Sequence, residues 1–155
     1  MTDHDSNMKT FILFQIGETS YALPSENVVQ MEMIETITPV PNAAACVEGV
    51  VFTRGKVIPA VNLRARFGFE RLPHSNRSRL IVAAVNGRTV GLIADSAREF
   101  ISIPADAITP PPEGLSEVSG HYLRGIVTID DRIILIVNVA ELIDSVDMKP
   151  EAARV

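Results

Sequence analysis

The residues able to do chemistry are few and poorly spaced for it. The three histidines, His4, His74 and His121, fall in a polar N-terminal arm and two loops, and none has a second His, Cys, Asp or Glu at metal-ligand spacing. Ser119-Gly120-His121 puts a hydroxyl near an imidazole, and Asp95-Ser96 puts a carboxylate beside a hydroxyl. Acyl transfer needs more than that: an oriented base and an oxyanion pocket, and no GxSxG elbow accompanies either pair. There is neither a Walker loop nor a GxGxxG fingerprint. Asp130-Asp131 reads as a turn pair and Asp95 as an acid at a strand end. No catalytic residue, no metal and no cofactor is expected, and the reading is of a non-enzyme. One residue keeps a chemical claim. Arg54 sits at the tip of the Thr53-Arg54-Gly55 turn between two apolar runs, where its planar fork could pair with a carboxylate while its stem covers apolar surface.

The elements that must carry Arg54 come as a repeated unit. Gly49 to Phe67 returns 76 residues later as Gly125 to Ile143, with identities Gly49/Gly125, Val51/Val127, Ile58/Ile134, Val61/Val137 and Asn62/Asn138. Both copies place a charged turn between apolar runs, Arg54-Gly55 in one and Asp130-Asp131 in the other. Tyr21 to Val28 lines up more loosely with Val90 to Ala97. Alternation predicts a hairpin over Phe11 to Leu23 turning at Gly17 to Ser20, then a strand over Val28 to Ile34. Pro39 and Pro41 make Thr38 to Ala44 a connection. Val47 to Phe52 pairs with Lys56 to Leu63, and Arg79 to Val85 pairs with Thr89 to Ala94 through Asn86-Gly87, the strongest hairpin signal in the chain. A further strand is expected over Arg98 to Ile103, a long loop from Pro110-Pro111-Pro112 to Gly120, and short helices at Leu63 to Phe67 and Val139 to Val146. Short strands broken by glycine and proline point to an all-β barrel or sandwich. Residues 1–9 read as a disordered arm, 10–145 as one domain of two interlocked β subdomains, and 146–155 as a polar tail.

At 155 residues the chain can bury roughly two-thirds of its unfolded surface without staples. Cys46 has no internal partner and reads as a small buried hydrophobe in a reduced compartment. No secretory signal or membrane-length apolar run is present, so a soluble, cytoplasmic protein is expected. A net charge of −5 with a pI near 5.2 opposes phosphate-driven nucleic-acid binding. The one basic stretch, Arg64, Arg66, Arg71, Arg77 and Arg79, reads as a solvated loop. With 5% aromatics and no tryptophan, base-stacking platforms are poorly supplied.

Taken together, FxxGxxxYALP (Phe14 to Pro24), PxPxxxxxVxGVVxxRGKVIPxVNLRxRFG (Pro39 to Gly68), GRTVGLIADSA (Gly87 to Ala97) and YLRGIxxxDDRIILIVNVAELI (Tyr122 to Ile143) resemble the CheW coupling-protein family. The resemblance spans about residues 10–145. It implies two five-stranded SH3-like barrels sharing a core, and a cytoplasmic adaptor, monomeric in isolation, that couples a CheA-type histidine kinase to chemoreceptor tips at the inner membrane. Its receptor- or kinase-facing positions correspond here to Arg54, Gly55, Val28, Gln30, Gly91 and Phe100. Gln30 stands where the family usually has glutamate. Phe52-Thr53 replaces the usual Asn-Leu, and Asn62 and Asn138 stand where aspartate is common. These departures suggest a specialised receptor or a non-flagellar array. A small-molecule sensor that buries its ligand between the two halves is the competing class.

Overall fold

The protein is described here from a computed structural model, which describes residues 7–112 and 122–144. The first six residues with His4, the segment with Ser119 and His121, and residues 145–155 lie outside the described residues. β1 opens at Met8, so the last two positions of the expected arm, Met8 and Lys9, belong to a strand.

The element order is β1 (Met8–Ile16), β2 (Thr19–Pro24), a 3-10 turn (Ser25–Asn27), β3 (Val28–Met33), β4 (Val47–Thr53), β5 (Lys56–Asn62), α1 (Leu63–Arg66), β6 (Arg79–Val85), β7 (Arg88–Ala94), β8 (Ser96–Pro104), a 3-10 turn (Ala105–Ala107), β9 (Leu123–Ile129), β10 (Arg132–Val137) and α2 (Val139–Asp144). The strands form two five-stranded sheets, ordered β8-β1-β2-β10-β9 and β3-β6-β7-β5-β4. The second sheet uses one continuous stretch of chain. The first uses both ends, so the chain leaves it after β2 and returns to it after β7.

Each sheet curls around its own interior. Phe11, Ala22, Ile103, Val127, Ile134 and Ile136 fill the first, and Val51, Ile58, Ala60, Leu80, Val82 and Ile93 fill the second. The largest cluster lies between them. Because side chains on a strand alternate, β1 sends Phe11 and Leu13 into its own barrel and Ile12, Phe14 and Ile16 into the shared core. β6 does the same in the other half, with Leu80 and Val82 inward and Ile81 and Ala83 toward the shared core. These strands are buried on both faces, which is why they read as nearly continuous apolar runs.

The two halves are equivalent strand by strand. Parallel pairing sets Ala60 against Gly91 in one sheet and Ile136 against Ala22 in the other, the same register at the 76-residue offset. Thr38 bridges Val50 with a pair of backbone bonds of 2.9 and 2.8 Å, and Thr109 bridges Ile126 with bonds of 2.9 and 2.8 Å. A proline follows each threonine, so Thr-Pro is a strap laid over an outer strand in both halves. The glycine beneath each strap has no room for a side chain. A Cβ on Gly49 would lie on the Thr38 carbonyl oxygen and 2.7 Å from its carbon, and one on Gly125 would lie 2.8 Å from the Thr109 oxygen.

Candidate functional site

The β4–β5 turn is where backbone and surface chemistry diverge from what folding alone asks for. Arg54 and Gly55 both take positive φ, at 53° and 78°, as a two-residue hairpin turn with the right twist requires. The other non-glycine residues at positive φ among the described residues are Asn42, Asn86, Asp130 and Asp131, whose short polar side chains tolerate that region. Arg54 is the bulky exception. Its side chain is exposed, and no ion pair among the described residues involves it. Directly behind the turn, Phe52 and Val57 are cross-strand partners with 74% and 65% of their surface in solvent. Met33, 54% exposed at the end of β3, lines the same 290 Å³ hollow as Phe52. An exposed apolar group beside an uncompensated arginine has the composition of a docking surface.

Sequence reading found the turn but not this patch. The available signal was that Phe52 and Val57 occupy outward positions of an amphipathic hairpin, where polar residues belong.

The structure brings Gln30 next to the turn. β3 and β4 are the outer strands of their sheet, and the curl sets them facing each other. Gln30 Nε2 donates to Thr53 Oγ1 at 3.0 Å and also to the Glu32 carboxylate, and Thr53 Oγ1 donates to Glu32 Oε2 at 2.7 Å. This side-chain network fastens the seam beside Arg54. It also revises the meaning of Gln30: the carboxylate absent at that position is supplied by Glu32 in the same network. Val28 opens β3 and is partly buried against the shared core. Phe100 is 53% exposed on β8, in the other sheet, opposite Ile12. Gly91 is buried, where a Cβ would meet Leu80 at 2.8 Å, so its role is to admit Leu80 to the barrel interior and it offers no contact surface.

Other expectations are corrected. Asn62 and Asn138 are helix N-caps: their Oδ1 atoms accept the Ala65 and Glu141 N–H groups at 3.0 and 3.1 Å. Asparagine caps about as well as aspartate, which accounts for both residues without any partner. The basic stretch is not uniformly solvated. Arg64 is paired with Asp95, with Nη2 to Oδ2 at 2.8 Å, and the Arg66 guanidinium lies 4.7 Å from the Tyr122 ring centre.

Asp95 is more than a strand-end acid. It lies at the β7–β8 crossing and also accepts the Gly17 N–H of the β1–β2 turn at 2.7 Å, clamping one half to the other. Burial raises its carboxyl pKa, but the hydrogen bonds from Arg64 and Gly17 outweigh that and hold it below the usual range. A carboxyl depressed in the folded state stabilises the fold above its unfolded pKa of about 4 and loses that contribution as pH falls through the folded value. With a third of the Asp95 side chain in solvent, screening trims the effect. Asp95→Asn is expected to lower stability at pH 7 by about 1–2 kcal/mol, with the deficit shrinking below about pH 4. Urea titrations at neutral and acid pH check this, and an equal deficit at both would exclude the charge as the cause.

The model of the CheW-like domain matches residues 10–147. The chain belongs to the CheW family. It is 33% identical over 133 residues to the chemotaxis protein CheW of Helicobacter pylori, covering 86% of this chain and 80% of that one. The chemotaxis protein CheW of Rhizobium meliloti is 30% identical over 137 residues, 88% of each. Protein FrzA of Myxococcus xanthus is 30% identical over 117 residues, 76% of this chain and 72% of that one. The crystal structure of the scaffolding protein TtCheW from Thermoanaerobacter tengcongensis superposes with a TM-score of 0.81 at 31% identity, covering 93% of this chain and 92% of that one. The pair of five-stranded subdomains is therefore the CheW architecture, and CheW membership gives the chain a chemotaxis scaffold role. No described helix is long and apolar enough to cross a membrane.

Proposed function

We propose that this CheW-family chain is a non-catalytic adaptor that holds a CheA-type histidine kinase to the cytoplasmic tips of chemoreceptors, and that the Arg54 hairpin is its docking edge. The observation that carries this reading is the backbone of Arg54. A bulky residue held at positive φ at an exposed tip has a conformational cost that asparagine or glycine would avoid, and such strain is retained where a side chain is wanted for function. Phe52, Val57 and Met33 supply apolar area beside it, and the Gln30–Thr53–Glu32 network holds the seam that presents it. A homologous barrel of the kinase would cover the apolar hairpin face, and the side of a receptor helix would lie along the groove between the subdomains. Covering β3 and β4 in this way also protects outer strands that otherwise invite aggregation. The adaptor acts at receptor arrays on the cytoplasmic face of the inner membrane.

Arg54→Ala tests the reading. Co-sedimentation with receptor-bearing membranes and kinase should weaken about tenfold or more, the scale of a hot-spot arginine, while the melting temperature stays level or rises. Unchanged co-sedimentation would remove Arg54 from the interface. Gln30→Glu should act on the same surface. It removes the donor to Thr53 and sets a second carboxylate beside Glu32, so it should loosen the seam and shift receptor preference in the same assay.

A further inference from the structure

The two barrels differ at one mouth, the end of the first barrel where β1 begins and β2 ends. Phe11 is set between Pro24 and Ile101, and Leu80 between Ile93 and Glu32, so Ile103 corresponds to Ile34. Both stretches then run to the same tripeptide, Ile37-Thr38-Pro39 in one half and Ile108-Thr109-Pro110 in the other. The first barrel takes two more residues over that interval, and they make room for the 3-10 turn Ala105–Ala107. This turn walls a cavity of about 390 Å³ whose floor is Phe11, Ile108 and Ile136. The charged positions differ as well. By strand register Glu26 corresponds to Asp95 and Arg124 to Glu48. In the second half both carboxylates are satisfied within the fold, Asp95 by Arg64 and Gly17, and Glu48 by Asn62 and His74. In the first half Glu26 and Arg124 line the cavity together with Lys9, and none of the three has a charged partner among the described residues.

We propose that this mouth binds a small zwitterion with an aliphatic side chain, an α-amino acid of the leucine type. Its carboxylate would lie on Arg124 and Lys9, its ammonium on Glu26 and its side chain on Phe11 and Ile136. The charge inventory selects this class. A simple carboxylate would set a second anion beside Glu26, and a simple amine would set a third cation beside Arg124 and Lys9. Arginine matches a carboxylate through two parallel hydrogen bonds. The size fits too: an apolar cavity of about 150 Å³ already accepts benzene, so this one holds an aliphatic side chain with its charged head at the rim. The walls include the Ser25–Asn27 turn, where the chain crosses to the other barrel, and the turn that leads into the Thr109 strap. An occupant would therefore tie the crossing to the strap. The inference is independent of the docking reading, since Arg54 belongs to the other barrel and does not line the cavity.

Amide resonances of Lys9, Ser25, Ala105 and Ile108 in isotope-labelled protein report on the mouth. Titration with L-leucine should shift them saturably. Charges at a rim in contact with water contribute modestly, so each pairing should be worth about fivefold in affinity. Isocaproate, which lacks the ammonium, isoamylamine, which lacks the carboxylate, and glycine, which lacks the side chain, should each bind at least about fivefold more weakly than leucine. Glu26→Gln should weaken leucine about fivefold and leave isocaproate no weaker, and Arg124→Gln should weaken leucine about fivefold and leave isoamylamine no weaker. Both positions are exposed, so these variants change charge without touching the core. Ala105→Leu, which narrows the mouth, should abolish the shifts, and if it fails to fold the two charge variants decide. Arg54→Ala should titrate like the parent protein. Absence of saturable shifts up to roughly 50 mM leucine, an analogue bound as tightly as leucine, undiminished leucine binding in either charge variant, or unaltered binding in a folded Ala105→Leu would each overturn the proposal.

Discussion

Gly49→Ala should be the most damaging single-methyl change in the molecule, costing about 3 kcal/mol or more. The obstacle is not a side chain that can turn aside. The added carbon meets the Thr38 carbonyl group, 2.7 Å from its carbon, and the Ile37 methyl at 3.0 Å. Thr38 cannot withdraw without breaking both of its bonds to Val50. Gly125→Ala should follow the same course in the other half, somewhat more mildly, since part of its clash is with the Ile108 methyl. Gly68→Ala is the reference. It has open space but φ of +85°, so only the backbone penalty of about 1 kcal/mol applies. Urea midpoints for the three variants, taken with a common m-value, give the comparison, and a Gly49→Ala cost no larger than that of Gly68→Ala would show that the strap yields freely.

Phe14→Ala should lower stability by about 3–5 kcal/mol, and it should do so for both barrels at once. Phe14 is fully buried in the shared core and stacks on Tyr21 with ring centres 5.3 Å apart. It belongs to the first sheet, yet the cluster it supports includes Ile81, Leu92 and Val61 of the second. If that core makes the two halves one cooperative unit, amide exchange in β6 and β7 should accelerate by the same factor as in β1 and β2. Protection retained in the second sheet alone would mean that the barrels open separately. Ile134→Val, confined to the interior of the first barrel, should cost only about 0.5–1.5 kcal/mol.

Much of this fold was legible because it is written locally. Alternating apolar residues, Asn86-Gly87 and the paired apolar runs predict the hairpins to within three residues, and the family resemblance supplied the two five-stranded subdomains. The strand exchange carries no local mark. Nothing in Pro24 to Val28 or around Asp95 announces that the chain changes sheet there, because pairing of β3 with β6 and of β8 with β1 is decided by partners far away in sequence. The candidate site divides in the same way. Arg54 and Gly55 stand out by turn chemistry, whereas the link from Gln30 to Thr53 needs a curled sheet to exist. Arg64 and Arg66 looked like part of a charged loop because their partners, Asp95 and Tyr122, come 31 and 56 residues later. Gly91 was misread for a simpler reason: a glycine does not say whether it spares room for a partner or for Leu80.

The double crossing between the sheets has a mechanical meaning. Two domains joined by one linker can swivel about it, and a load on one reaches the other weakly. Here the backbone passes between the barrels at Pro24 to Val28 and again at Asp95, and the second passage is bolted to the first hairpin through Gly17 and to α1 through Arg64. Two crossings leave only the line through them as an axis of rotation, and the core packed between the barrels opposes turning about it. Torque applied at the Arg54 hairpin, in the continuous barrel, must appear in the barrel built from the chain ends, so the molecule behaves as a stiff crank rather than a tether.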